Sequence, residues 1–199
     1  MTLFSLALVL FLIMDPLGNM HSFLSYLKGL KPTRQKVIIL REMLMALAAM
    51  LIFSFLGEYL FRLLEISETT VYLASGVILF LVAIKILFPQ PELAEPKKFR
   101  GEPFLVPLAI PMIAGPALLA TIMLYADTET SPWTMLGAII IAWSACCLLL
   151  LASKQIVTVI GTSGLTACEK LMGMILILLS VQRILQGIIL FHANAFPAS

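Results

Sequence analysis

The sequence predicts an all-α membrane protein of six transmembrane helices, arranged as a 3+3 inverted repeat with proline-broken first and fourth helices. Three observations predict it. Of 199 residues, 61% are hydrophobic and 12% charged, with a mean hydropathy of +1.05, far from the composition of soluble domains. Six apolar stretches approach the roughly 20 residues that span a bilayer. Finally, a proline interrupts the first stretch of each half, in Met14-Asp15-Pro16-Leu17-Gly18-Asn19 and in Ile113-Ala114-Gly115-Pro116-Ala117-Leu118. Interrupted helices at matching positions of two halves point to a secondary transporter.

In chain order the stretches are Thr2 to Leu27, Val37 to Phe61, Thr69 to Phe88, Phe104 to Ala126, Trp133 to Ser153 and Glu169 to Phe191. Three crossings per half make the halves face opposite ways. Residues 1–88 form the first three-helix repeat and residues 104–199 the second. Between them, residues 89–103 carry Pro89, Pro91, Pro96 and Pro103 among mixed charges, a composition suited to a cytoplasmic linker. The first stretch lacks the positive flank and small-residue cleavage pattern of a signal peptide, so it is read as a retained helix.

Basic residues set the orientation. Lys28, Lys31, Arg34 and Lys36 follow the first span, Lys97, Lys98 and Arg100 the third, and Lys154 and Lys170 flank the fifth-to-sixth connection. The opposite loops carry Glu58, Arg62, Glu65, Glu68, Asp127 and Glu129. Both termini are therefore expected in the periplasm. Trp133 is an expected interfacial anchor. Cys146, Cys147 and Cys168 lack metal-ligand spacing and read as reduced structural thiols. The net charge of +2 is too small to suggest nucleic acid, and no cofactor or metal is expected.

The halves align in two places. Pro16 lies over Pro116 at an offset of 100, and the segment from Gly76 to Leu87 lies over that from Gly173 to Ile184 at an offset of 97. Both of the latter begin at glycine and reach a polar residue nine positions on, Lys85 in one and Gln182 in the other. Chance similarity between two Leu/Ile-rich helices is the alternative.

Proline removes a donor and clashes with the carbonyl four residues back, so Pro16 would free Leu12 and Pro116 would free Met112. Proline also favours the first helical position, with Asp or Gly ahead of it as cap. Asp15-Pro16 and Gly115-Pro116 are thus expected helix starts near mid-membrane, where exposed N–H groups and the helix dipole favour anions. The Gly115 end would suit a carboxylate and the Asp15 end an ammonium. Together they fit a zwitterion, with Asp15, Pro16, Gly18, Asn19, Gly115, Pro116 and Thr121 as candidate substrate-binding residues. The structural alternative is that Asp15 only caps and the prolines only kink. An intramembrane carboxylate is costly and commonly functional; a small hydroxyl such as Thr121 often only joins helices.

His21, Gln182 and Arg183 are candidates for a supporting layer, with Asp15 a conceivable partner of Arg183. Lys85 is placed to snorkel to the interface. Arg41 and Glu42 enter the second span early and are expected to pair with each other's neighbours at the cytoplasmic interface.

Asp15 to Asn19, the run Ile110-Pro111-Met112-Ile113-Ala114-Gly115-Pro116, and Gln182 to Gly187 resemble the MarC family of bacterial inner-membrane proteins, over essentially the whole chain. The resemblance implies a multipass inner-membrane location and a relation to LysE-like exporters. Some family members are described as neutral amino-acid transporters. This chain departs from the family's pattern in having Met20-His21, where a proline is common, and Ala117, where a glycine is common. Those departures fall where the resemblance would place the cavity lining.

Two rival readings remain. Gly161-Thr162-Ser163-Gly164 resembles an intramembrane serine protease motif, but His192 lies 29 residues on, some 40 Å away along a helix, so no enzyme is expected. A non-transporting or lipid-handling protein would show a lateral apolar opening, whereas a transporter would show an enclosed cavity near Asp15 and Gly115. No P-loop is present, so transport would draw on a proton or sodium gradient or on a partner. A homo-oligomer is compatible with the sequence.

Overall fold

The computed structural model describes residues 2–27, 30–88, 113–127 and 131–195. The linker 89–103 and the first part of the fourth span, with Pro107, Pro111 and Met112, lie outside the described residues. Seven helices are described: α1 (Leu3–Met14), α2 (Pro16–Tyr26), α3 (Pro32–Leu63), α4 (Glu68–Leu87), α5 (Pro116–Asp127), α6 (Pro132–Leu151) and α7 (Ser153–Ala195). Among the described residues there is no strand.

Local chemistry explains most boundaries. α2, α3, α5 and α6 each begin at a proline, whose missing N–H costs nothing at the first helical position. The Thr2 hydroxyl caps α1 by accepting the Ser5 N–H at 3.3 Å. Ser67 caps α4 through the Thr70 N–H at 3.3 Å. Five stretches are long and apolar enough to cross a membrane, Leu3–Met20, Pro32–Gly57, Glu68–Leu87, Pro132–Leu151 and Ser153–Ala195, and the shorter Pro116–Ala126 is also apolar.

α7 departs from the expected sixth span. It comprises two helices that meet at a kink, where Gly161, at φ 75° and ψ 170°, leaves helical geometry, and the helix after the kink begins before the expected Glu169. The cluster Gly161-Thr162-Ser163-Gly164 thus holds the turn between the two helices. The backbone of Gly161 requires a residue that tolerates positive φ.

The exterior differs from that of a water-soluble protein. Phe4, Leu81, Leu148 and Leu178 face outward, while Asp15, Glu42, Thr121, Ser180 and Arg183 are buried. An apolar exterior over an apolar core that encloses a few polar groups is what a bilayer demands, because lipid cannot satisfy polar groups. Trp133 is exposed, at the start of α6.

The tightest helix pair is α4 with α7. A side chain at Gly76 would meet Ile184 and the Ser180 carbonyl; one at Gly173 would meet Ile86 and Leu87; one at Gly187 would meet Leu73. Those contacts make the pair antiparallel and let the backbones approach closely, the role of small residues between membrane helices. α1 packs on α6, α3 on α5 and α6, and α2 on α7 and α6. The Trp143 indole N–H donates to the Met43 carbonyl at 2.7 Å, tying α6 to α3.

Candidate functional site

The first junction is a single residue. α1 ends at Met14, Asp15 adopts a left-handed conformation at φ 44° and ψ 63°, and its N–H donates to the Leu12 carbonyl at 3.1 Å. The carbonyl expected to be freed by Pro16 thus has a partner. Pro16 then opens α2, and the Asp15 carboxylate caps it by accepting the Gly18 N–H at 3.1 Å. One helical turn on, the Asn19 side-chain amide donates to the Met14 carbonyl at 2.8 Å. Asp15 therefore serves the donors of α2, while Asn19 serves an acceptor of α1.

Gly18 is required by this arrangement. A Cβ there would lie 2.1 Å from Asp15 Oδ2 and 2.8 Å from its Cγ. The junction is closed as well as satisfied, since Asp15 is only 6% exposed and Pro16 is buried.

The second junction differs. Gly115 precedes α5 with no side chain to cap it, and its carbonyl accepts the Leu119 N–H at 3.0 Å. Pro116 is exposed. Thr121 is fully buried, and its hydroxyl donates to the Ala117 carbonyl of its own helix.

Packing brings the junctions together. Met14, Ile113, Ala114 and Leu118 share one apolar cluster, and Ile13 packs on a second cluster that contains Ala117, Leu79, Ala83 and Leu176. Asp15 and Gly115 are flanked by residues of the same two clusters.

The remaining candidates separate. Gln182 is exposed on α7, and the side chain of His21 lies outside the described residues. Arg183 is buried and turns toward α4 and α5, donating to Ser75 Oγ at 3.4 Å and lying 5.9 Å from the centre of the Tyr125 ring. Among the described residues no group of three His, Cys, Asp or Glu could hold a metal ion.

Glu42 carried no site expectation. Arg41 Nε and Nη2 donate to its Oε1 at 3.0 and 2.8 Å, so the two residues pair with each other. The Glu42 side chain is fully buried, and its Oε2 has no hydrogen-bond partner among the described residues. A charged residue beside an opposite charge in an apolar span was the signal available, but adjacency on a helix gave no sign of which one faces inward.

An open groove of about 480 Å³ lies on α4, lined by Thr70, Leu73, Ala74, Val77 and Ile78. Its lining is almost wholly apolar.

Known proteins agree with the architecture. Residues 1–191 match the family described as "MarC family integral membrane protein". The chain is 44% identical over 192 residues to a "UPF0056 membrane protein" of Buchnera aphidicola subsp. Schizaphis graminum, covering 96% of this chain and 97% of that protein. It is 43% identical over 186 residues to the "UPF0056 inner membrane protein YhgN" of Escherichia coli K12, covering 92% and 94% respectively. A Chlamydia pneumoniae "UPF0056 membrane protein" is 36% identical over 188 residues, covering 94% of this chain and 93% of that protein. No solved structure matches the chain. With its apolar exterior, its helices of membrane length and this family match over nearly its full length, the chain is a multipass inner-membrane protein and belongs to the MarC family.

Proposed function

We propose that this protein is a secondary transporter or exporter of small neutral amino acids or similar solutes, not an enzyme, built as an inverted repeat with proline-broken first and fourth helices. The observation that carries the reading is the Asp15 junction. A carboxylate 6% exposed, on a non-helical residue between two helices inside an apolar span, is costly and is the kind of discontinuity around which transporters build their sites.

The packing supports the repeat. Exchanging α2 with α5, α3 with α6 and α4 with α7 turns the contacts of α2 with α7 and α6 into those of α5 with α4 and α3, and leaves the pairs α4·α7 and α3·α6 unchanged. Gly76 against Ile184 is likewise exchanged with Gly173 against Leu87 at the sequence offset of 97. Such reciprocity is what a pseudo-twofold axis between halves requires. In this reading both termini are periplasmic, and the buried packing around Asp15 and Thr121 is a closed state.

A solute would enter between the junctions as the halves rock apart. Its ammonium would face Asp15 and its carboxylate the N–H groups at Gly115, with Asn19 and Thr121 nearby. Asp15 and Glu42, both buried carboxylates, are the candidates for coupling to a proton or sodium gradient. The apolar groove on α4 is the one observation that favours the lipid-handling alternative.

Uptake and efflux of labelled alanine, glycine and serine in proteoliposomes, with and without a pH gradient, tests the reading. Flux by the native chain that collapses in Asp15→Asn is the expected result. Flux indifferent to Asp15→Asn reduces Asp15 to a cap, and no flux by the folded native chain removes these amino acids as cargo.

A further inference from the structure

Arg183 is 5% exposed, within an apolar span of α7. Its side chain lies between three helices. Ser75 of α4 donates its hydroxyl hydrogen to the Tyr72 carbonyl at 3.2 Å, which leaves its oxygen lone pair to accept from Arg183 Nη1 at 3.4 Å. Tyr125 of α5 presents its ring to the guanidinium at 5.9 Å. Tyr72 lies within electrostatic reach of both Tyr125 and Arg183. Val71 and Leu124 pack together, which places the two tyrosines at one level of the bundle.

A guanidinium has five donors and a full charge, yet among the described residues Arg183 has a single long hydrogen bond and no carboxylate partner. Glu68, one turn outward from Tyr72 on α4, is exposed at the start of the helix. Asp127, the last residue of α5, has its side chain outside the described residues. Buried charges are ordinarily paired, because desolvation of an unpaired one is expensive. An arginine that has no carboxylate partner among the described residues, held by the Ser75 oxygen and framed by two tyrosines between three helices, is a receptor for an anion, and the planar fork of arginine matches a carboxylate in two-point contact.

We propose that Arg183, framed by Ser75, Tyr72 and Tyr125 between α4, α5 and α7, is a binding site for a small carboxylate. The site deepens the transport reading and rests on it for the natural ligand, which would be the carboxylate end of the transported solute. It is distinct from the Asp15 junction. The apolar cluster beside that junction reaches α4 at Leu79 and Ala83, whereas Arg183 meets α4 at Ser75, about 6 to 12 Å away along the helix. A solute leaving the junction along α4 would meet Arg183 next.

The test is equilibrium binding of labelled propionate to the purified full chain in lipid-free detergent, with competitors. Saturable binding displaced by alanine, but not by alaninol or propionamide, is expected. Arg183→Gln should weaken it roughly tenfold or more, the scale of a lost charge-assisted pair. Arg183→Lys, which keeps the charge and loses the fork, should weaken it severalfold. If Arg183→Gln does not fold, Arg183→Lys and the competitor series decide. Binding unchanged in either folded variant overturns the site, as does equal displacement by alaninol. Displacement by inorganic phosphate or by phosphatidylglycerol at lower concentration than by alanine would assign the site to a phosphate or a lipid headgroup and overturn the carboxylate. Arg183-dependent binding without amino-acid flux in proteoliposomes would sustain the site while removing the transport reading. Flux with binding insensitive to Arg183 would do the reverse.

Discussion

At the Asp15 junction the polar groups are engaged with one another: the carboxylate holds the Gly18 N–H, the Asn19 amide holds the Met14 carbonyl, and the Asp15 N–H holds Leu12. At Gly115 there is no side chain to engage, and Thr121 turns its hydroxyl back on its own helix. The two halves thus reach similar helix starts by different means. The first is stapled by side chains, whereas the second relies on backbone and packing. Stability should therefore be sensitive to polar substitutions at the first junction and tolerant of them at the second.

The largest effect is expected from Asp15→Ala. It removes the cap, worth about 1 kcal/mol, and leaves a residue with a Cβ but no local hydrogen bond in a left-handed conformation, costing about 1 to 2 kcal/mol more. Asp15→Asn keeps both the cap and the tolerance of positive φ and should stay within about 0.5 kcal/mol of native. Reversible unfolding in mixed micelles measures both. Equal destabilisation by the two variants would mean that charge, not capping, holds the junction.

Gly18→Ala comes next, because its Cβ would collide with the Asp15 carboxylate at 2.1 Å and force it off the Gly18 N–H. A loss of about 1 to 2 kcal/mol is expected. In an Asp15→Ala background the same substitution should become neutral or slightly stabilising, since alanine is the better helix former. A double-mutant cycle reads that coupling. Additive losses would show that Gly18 is needed for another contact.

Thr121→Val should have the smallest effect, within about 0.5 kcal/mol. The Ala117 carbonyl is already served by the helix ladder, and a hydroxyl bonded back to its own helix adds little. A loss above about 2 kcal/mol would mean that the hydroxyl serves a neighbouring helix. Amino-acid flux impaired at native stability would instead separate a solute contact from a structural one, and so sharpen the contrast between the halves.

The same division runs through the whole fold. Composition and run length sufficed for the membrane class and for most of the apolar stretches, because a bilayer imposes its thickness on each helix independently. Helix starts at Pro16, Pro32, Pro116 and Pro132 follow from a rule that acts within one turn. Where a break rested on glycine alone only its place was legible: the chain turns at Gly161, but the helix after it begins before Glu169, since glycine permits a break without fixing where the next helix starts.

The candidate site was legible only in its composition. The residue types at Asp15, Asn19 and Arg183 marked polar groups at membrane depth. Their geometry was not legible, because it depends on what lies across the helix interface. Asp15 folds onto Gly18 because the chain turns there into a left-handed conformation, and Arg183 meets Ser75 and Tyr125 because α4, α5 and α7 converge around it. Glu42 is buried and Arg41 partly exposed through the rotation of α3 against α5 and α6, which no local rule specifies. The sequence by itself determined that this chain crosses a membrane, and where most of its helices begin, because those properties are local and set by solvent and backbone. Only the tertiary structure decided which charges face inward and what they touch, because that is a property of packed neighbours distant in the chain.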